Sequence, residues 1–262
     1  MKLAVVTPVL NPHFNYFCRL ISQIIYQKPH DDLEVYYHIQ DRSNNNNVEK
    51  FLNFFDLSKY RISYERKNDK SLYDGVNYGF KNILKKIEPD LMYYINHDDF
   101  IFDETFLNFY KSYKNNQEYD WFITNSIEIN NNNEIIKWDN QYASYKISLG
   151  LNDGKKHPPF NDYFPFVTQE SVFWTYKLWK KVGEFNENLK LAGDYEYWIR
   201  CAQAGFEIKK IDANCGAWQR REGQLGSDVF SYMLECESSK KELCKESIAN
   251  FNYIEKSKSL IL

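Results

Sequence analysis

Within the first 114 residues, short apolar runs alternate with stretches of helical spacing, and few folds accommodate that order. Lys2 to Val6 reads as a buried strand, broken at Thr7-Pro8-Val9-Leu10-Asn11. Phe14, Phe17, Cys18, Ile21, Ile24 and Ile25 then recur at helical spacing up to Lys28-Pro29. Leu33, Val35, Tyr37 and Ile39 alternate as in a strand, which ends at Gln40-Asp41-Arg42-Ser43. Val48, Phe51, Leu52 and Phe55 return to helical spacing, and Tyr60 to Tyr64 is a weaker strand ending at Glu65 to Asp69. Leu72 to Lys86 is expected to be a helix, with Val76, Phe80, Ile83, Leu84 and Ile87 as its apolar stripe. The run Leu91 to Ile95 is a further buried strand, followed by a helix from about Asp103 to Lys114. Strand and helix in strict alternation define a mostly parallel sheet covered by helices on both faces.

In such sheets ligands bind at the carboxyl ends of the strands. The segments after the four strands carry Thr7 and Asn11, Asp41 and Ser43, Asp69, and Asp98 and Asp99. Polar and acidic groups therefore converge on one edge. Adjacent carboxylates at the end of a buried strand are costly unless a positive charge meets them. A hard divalent cation, Mn²⁺ or Mg²⁺, takes such oxygens; a solvated acidic turn is the alternative. The chain has no Gly-x-Gly-x-x-Gly after the first strand and no Walker loop, so phosphates would need a metal and basic side chains. An Asp after the second strand suits a ribose or base contact.

The second half is less regular. Trp121 to Asn125 is expected as a strand, and Ile127, Ile129, Ile135 and Trp138 flank the tip Asn130 to Asn133 as a hairpin. Asp139 to Pro165 reads as a long binding loop or lid. Val167 to Tyr176 is expected as a strand, Lys177 to Val182 as a short helix stopped by Gly183, and Phe206 to Ile211 as a strand. Ala192 to Arg200 opens a helix that ends near Gly205. Trp218 to Ser227 reads as a basic, glycine-containing loop, and Asp228 to Leu262 as an amphipathic helical tail.

Composition narrows the partners. With 262 residues, 43% of them hydrophobic and 18% aromatic, the chain builds one sizeable core, read as a single domain over 1–262. Its nucleotide-binding half is about 1–114, its acceptor half about 115–227, and its tail about 228–262. A formal charge of -3 argues against a nucleic-acid or general anionic-membrane binder. Five cysteines without a Cys-x-x-Cys pair suit reduced thiols in a cytoplasm. Residues 1–8 hold too short an apolar run for a signal peptide, and no 18-residue apolar span exists. Peripheral membrane contact by the Lys-containing tail is the alternative to a plain helix end.

Read in order, several segments resemble the family 2 glycosyltransferases of the GT-A fold, from about Leu3 to Ser227. Val5-Val-Thr-Pro-Val-Leu-Asn11 resembles that family's opening strand and nucleotide loop. Asp41-Arg-Ser-Asn-Asn-Asn-Asn47 stands where the family has Asp-Gly-Ser-Thr-Asp-Gly-Thr, with Asn45 for the second Asp. Asp69-Lys-Ser-Leu-Tyr-Asp-Gly-Val-Asn-Tyr-Gly79 resembles Asp-x-Gly-x-Tyr-Asp-Ala-x-Asn-x-Gly, with Ser71 for a Gly. Asn96-His-Asp-Asp99 resembles the metal-binding acidic motif, with Asn96 at a position that is often Asp. Phe166 to Trp174 resembles a His-Gln-x-x-x-Phe strand, with Thr168 for the His, and Lys181 to Trp198 matches best.

The resemblance implies sugar transfer with inversion from a nucleotide-sugar, UDP-linked foremost with GDP or dTDP as alternatives, to a glycan or glycolipid hydroxyl. It implies surface polysaccharide or glycoconjugate synthesis, in the cytoplasm or at the cytoplasmic face of a membrane. It assigns Mn²⁺ or Mg²⁺ to Asp98, with Asp99 as a second ligand or an orienting group; a lone His beside acids, His97 reads as a hydrogen-bond donor, with a ligand role as the alternative. Donor contacts fall to Thr7, Pro8, Asn11, Asp41, Asp69, Asp74, Asn77, Asp98 and Gln169, and diphosphate contacts to Arg220 and Arg221, with Gly223 and Gly226 letting their loop close. Spacing alone favours Asp194 as a helix N-cap; the resemblance instead implies that it is the base. A helix N-terminus favours its charged form and so lowers its basicity. Tyr73 and Trp198 read as core rather than sugar platforms. Two other classes remain. A sugar-phosphate nucleotidyltransferase needs a glycine-rich basic loop that Thr7 to Asn15 lacks. A non-catalytic sugar- or nucleotide-binding module is consistent with Asn45 and Asn96.

Overall fold

The computed structural model describes residues 1–28, 30–139, 167–221, 224 and 228–243. Its elements run β1 (Lys2–Val9), α1 (Phe14–Ile25), β2 (Glu34–Asp41), α2 (Asn47–Leu52), β3 (Ile62–Arg66), α3 (Leu72–Leu84), β4 (Leu91–Tyr94), β5 (Phe100–Ile101) and α4 (Thr105–Asn115). Then come β6 (Trp121–Ile123), β7 (Ser126–Ile129), β8 (Ile135–Asp139), a 3₁₀ turn at Gln169–Ser171, β9 (Val172–Thr175), α5 (Tyr176–Val182), α6 (Gly193–Gln203), β10 (Ile208–Lys210), β11 (Gly216–Gln219) and α7 (Val229–Leu243).

The main sheet has seven strands in the order β10-β6-β9-β4-β1-β2-β3. Strand β1 pairs in parallel with β2 and β4, β2 with β3, and β6 with β10; β9 alone runs antiparallel, between β4 and β6. Period-two alternation explains why both faces are apolar. Leu3 and Val5 of β1 join the core beneath α1 and α4, and Ala4 and Val6 join the core beneath α3, α5 and α6. The second core is aromatic: Trp121 and Trp198 stack at 5.5 Å, and Trp174 meets Trp198, Tyr197 and Phe185. Tyr73 and Trp198 lie in this core as expected, each 1% exposed.

A four-stranded sheet, β5-β11-β7-β8, stands beside the main one. The β7–β8 hairpin falls where the sequence places it, and Asn130 Oδ1 closes its tip by accepting from the Asn132 and Glu134 amides. Strand β11 runs parallel to β7 and antiparallel to β5. Three expectations need correction. Strand β1 does not break at Thr7 but stays paired with β2 through Thr7 and Pro8 to Val9. The strand expected over Val167 to Tyr176 is confined to Val172–Thr175 and follows a 3₁₀ turn. The segment read as a loop from Trp218 begins as strand β11. Gly216 is required there, because a Cβ would lie 1.9 Å from the Glu170 carbonyl oxygen of the 3₁₀ turn. Of the loop expected over 139–165, Asp139 is the last residue of β8, and 140–165, Gly223, Gly226 and the tail beyond 243 lie outside the described residues.

Candidate active site

The turn after β4 carries the acidic motif. Asp98 is partly exposed, and Arg221 donates to its Oδ2 through Nε at 2.9 Å and Nη2 at 2.6 Å. Asp99 turns inward and is 2% exposed; its Oδ1 accepts from the Gln219 amide at 3.1 Å and its Oδ2 from Asn96 Nδ2 at 3.1 Å. Asp99 also hydrogen-bonds the carboxyl of Glu170, which is 6% exposed. Two buried carboxyls in contact cannot both ionise. Burial foremost, then Glu170 and Asp98, push the Asp99 carboxyl up, and burial foremost pushes Glu170 up to about 7. Of the two roles expected of Asp99, orientation of the turn is the one its hydrogen bonds serve. His97 hydrogen-bonds the Pro8 carbonyl, which ties the acidic turn to the end of β1; burial lowers its pKa.

The residues fit a hard divalent cation. Both Arg221 bonds fall on one oxygen of Asp98, and Asn96 Oδ1 is buried without a hydrogen-bond partner among the described residues. Among the described residues no group of three or more His, Cys, Asp or Glu side chains is arranged to hold a metal unaided. Such a site suits an ion held by one or two carboxylates and completed by substrate phosphates, the usual condition of Mg²⁺.

Asp194 sits in the first turn of α6, one residue inside Gly193. Its Oδ1 accepts from the Tyr195 amide at 2.8 Å and from the Tyr73 hydroxyl at 3.3 Å. It is not the N-cap: that position is Ala192, and Glu235 of α7 holds the amides of Lys190, Leu191 and Ala192. Gly193 lets Tyr73 approach, since a Cβ there would lie 2.6 Å from the ring. The expected lowering of Asp194's basicity is reversed. Burial foremost pushes its carboxyl up to about 6, outweighing the Tyr195 amide and the Tyr73 hydroxyl, which act the other way. Asp194 and Asp98 both raise Glu170 through their charges, and the charges of Asp194, Glu170 and Asp99 all bear on Tyr94. Asp98, Asp99 and Glu170 thus gather beside the ends of β4 and β11, and Asp194, in the first turn of α6, is near enough to act on Glu170 through its charge.

The nucleotide residues expected from sequence divide into two groups. At the ends of β1 and β2, Asp41 accepts from the Ser43 amide at 2.8 Å and the Tyr64 hydroxyl at 2.9 Å, while Ser43 Oγ accepts from the Asn11 amide at 2.8 Å. Asn11 adopts φ 43, a conformation Asn tolerates better than most residues. Asp69 is 9% exposed, its Oδ1 is buried without a partner among the described residues, and its Oδ2 faces Gly75 beside Pro8. Burial, then the charge of Asp74, lift its carboxyl to about 6. Thr7 is fully buried, its hydroxyl beside that of Tyr37.

The second group shapes the chain. Ser71 Oγ accepts from the Asp74 amide at 3.2 Å and Asp74 Oδ2 accepts from the Lys70 amide at 2.8 Å, a reciprocal cap on α3. Asn77 pairs with both backbone groups of Phe185, at 2.9 and 3.0 Å. Gln169, 4% exposed, donates to the Tyr94 carbonyl and keeps an unpartnered Oε1. Arg220 points away from the acids, 3.8 Å from Glu128 and over Trp218.

Sequence reasoning missed Glu170 as a partner of Asp99, and it missed Arg19. Arg19 of α1 donates through Nη2 to the carbonyls of Asp98 and Asp99, at 2.9 and 3.0 Å. A lone arginine in an amphipathic helix gives no signal of this.

Neither family models nor curated protein sequences give a match to this sequence. Solved structures do. Staphylococcus aureus TarS superposes with a TM-score of 0.59 at 16% identity, covering 84% of this chain and 37% of TarS. TarS 1–349 in complex with UDP-GlcNAc gives 0.62 at 17% identity, over 87% of this chain and 61% of that one. TarS 1–349 in complex with UDP gives 0.59 at 16%, over 93% and 66%. This chain therefore spans between 37% and 66% of those chains. At such identity the likeness is one of fold: a GT-A-type α/β architecture, with a mostly parallel sheet between helices and a small second sheet. No helix among the described residues is long and apolar enough to cross a membrane.

Proposed function

We propose that this chain is a glycosyltransferase that moves a sugar, with inversion, from a nucleotide-sugar to an acceptor hydroxyl on a glycan or glycolipid. The observation that carries the reading is the gathering of Asp98, Asp99 and Glu170 beside the ends of β4 and β11, with Asp194 near enough to act on Glu170, together with the Asp41–Ser43–Asn11 network and the unpartnered Asp69 oxygen. A UDP-sugar is favoured, because two of the similar structures hold UDP-GlcNAc and UDP.

Asp69 offers its free oxygen to a nucleoside N–H or hydroxyl. Asp98 is the carboxylate for Mn²⁺ or Mg²⁺, with Asp99 and Asn96 orienting it. A bound cation supplies charge neutralisation to the leaving diphosphate. Arg221 stands next to that position and is the side chain to meet the phosphates. The acceptor oxygen attacks the anomeric carbon as the bond from that carbon to the diphosphate oxygen breaks. The bonding pair leaves with the diphosphate, and the hydroxyl proton passes to Asp194. A carboxyl held near 6 is ionised at pH 7 yet more basic than an ordinary Asp, as a general base requires. No covalent protein nucleophile takes part.

The Asp98–Arg221 ion pair favours one second reading, in which Arg221 neutralises the diphosphate without a cation. The test is release of nucleotide diphosphate from UDP-, GDP- and dTDP-sugars, with acceptor, under Mn²⁺, Mg²⁺ or chelator. Acceptor-dependent release that needs the cation supports the first reading, and release untouched by chelator the second. No acceptor-dependent release from any donor would leave a binding module.

A further inference from the structure

We infer that Arg19 is a positioning residue, one that holds the Asp98–Asp99 turn in register with the end of β11 and the tip of the β7–β8 hairpin. The inference rests on the proposed cation site at Asp98.

Arg19 spends its guanidinium on the site and not on the core. Nη2 donates to two consecutive carbonyls, Asp98 at 2.9 Å and Asp99 at 3.0 Å. Gripping consecutive carbonyls fixes the peptide planes on both sides of the Asp99 Cα, and so restricts where the Asp98 side chain points. Nη1 donates to Gln219 Oε1 at 2.8 Å and to Asn133 Oδ1. Gln219 is fully buried, and its own amide donates to Asp99 Oδ1, so the clamp closes a ring from α1 through β11 back to the acidic turn. Tyr16, one helical turn earlier, donates to Asn131 Oδ1 at 3.0 Å, which fixes the hairpin tip a second time. The guanidinium lies 5.1 Å from the Tyr16 ring centroid and 5.3 Å from that of Phe100, which limits its rotation.

A planar fork is what this geometry needs. Four acceptors from three distant segments meet two terminal nitrogens, and a lysine ammonium at the end of a flexible stem cannot reproduce the arrangement. Arg19 Nε is buried without a partner among the described residues, an arrangement that costs free energy and that stability alone does not favour. Groups that orient metal ligands in this way typically change metal affinity about 10- to 100-fold when replaced.

The experiment is Mn²⁺ binding by electron paramagnetic resonance at saturating UDP, on wild type, Arg19→Gln and Arg19→Lys. UDP affinity without metal and melting temperature are measured on the same samples. Arg19→Gln is expected to bind Mn²⁺ roughly 10- to 100-fold more weakly, with metal-free UDP affinity unchanged and partial rescue in Arg19→Lys. Wild-type Mn²⁺ affinity in Arg19→Gln would overturn the inference, and so would an equal loss of metal-free UDP binding, which marks general disorder. Should Arg19→Gln fail to fold, Arg19→Lys decides: several-fold weaker Mn²⁺ supports the clamp, and wild-type affinity overturns it. If wild type itself takes up no Mn²⁺ with UDP, the cation site fails, and the inference falls with it.

Discussion

Replacing Asp194 with Asn should make the protein more stable and nearly inactive. The carboxyl ionises at about 6 in the fold against 3.8 for an unperturbed Asp, and burial is the main cause. As pH rises from about 4 to 6 the unfolded chain releases this proton first, so native stability falls across that window and stays lower above it. At ~1.4 kcal/mol per tenfold change in acidity, the ceiling on this cost is ~3 kcal/mol. The side chain keeps some exposure, and the Asn amide group brings a donor that needs a partner, so a net gain of about 1–2 kcal/mol is the expectation. Asn Oδ1 can still accept from the Tyr195 amide and the Tyr73 hydroxyl, and the helix cap at Ala192 is untouched. For a protein of this size the gain corresponds to a rise of roughly 2–8 °C in melting temperature at pH 8, shrinking towards zero near pH 4. Transfer should fall about 10²–10⁴-fold, while wild-type transfer rises with pH through about 6. Urea or thermal melts at both pH values, paired with initial rates, supply the check. A variant equally destabilised at pH 4 and pH 8, or one with intact transfer, refutes the reasoning.

Other substitutions probe other parts of the account. Asp69→Ala removes the unpartnered acceptor, and initial-rate kinetics should show the donor KM rising more than the acceptor KM. Arg221→Gln leaves Asp98 without its neutralising partner; calorimetry should show tighter Mn²⁺ binding without nucleotide and weaker UDP binding. Asn77→Ala strands both buried backbone groups of Phe185, so urea unfolding should report a loss of roughly 2–4 kcal/mol with little change in KM.

Much of this architecture is legible in the sequence, because the long elements carry strong periodicity. The alternation in β1 and β2 and the apolar stripes of α1 and α3 each contain enough residues to fix type and place. Short strands do not: β5 has two residues and β11 has four, and both form only because neighbours supply the pairing. The acidic turn after β4 was visible as charge at a strand end, but its internal division was not. Asp98 faces Arg221 and Asp99 faces Glu170 and Gln219, partners that the chain brings back from more than seventy residues away. Asp194 shows the same limit. Its helix position argues for a more acidic carboxylate, whereas burial in the fold raises its pKa to about 6 against the pull of the Tyr195 amide and the Tyr73 hydroxyl. Arg19 was silent in sequence because it reads backbone carbonyls, which any residue type supplies.

Cation-dependent nucleotide binding at Asp98 is the step on which transfer by this site depends. Calorimetric titration of UDP into wild type and Asp98→Asn, each with Mn²⁺ and with chelator, isolates that point. The account predicts cation-dependent binding in wild type, loss of the cation's contribution in Asp98→Asn, and equal melting temperatures without ligand. Cation-dependent UDP affinity unchanged in Asp98→Asn, or no UDP binding to wild type under either condition, would contradict it.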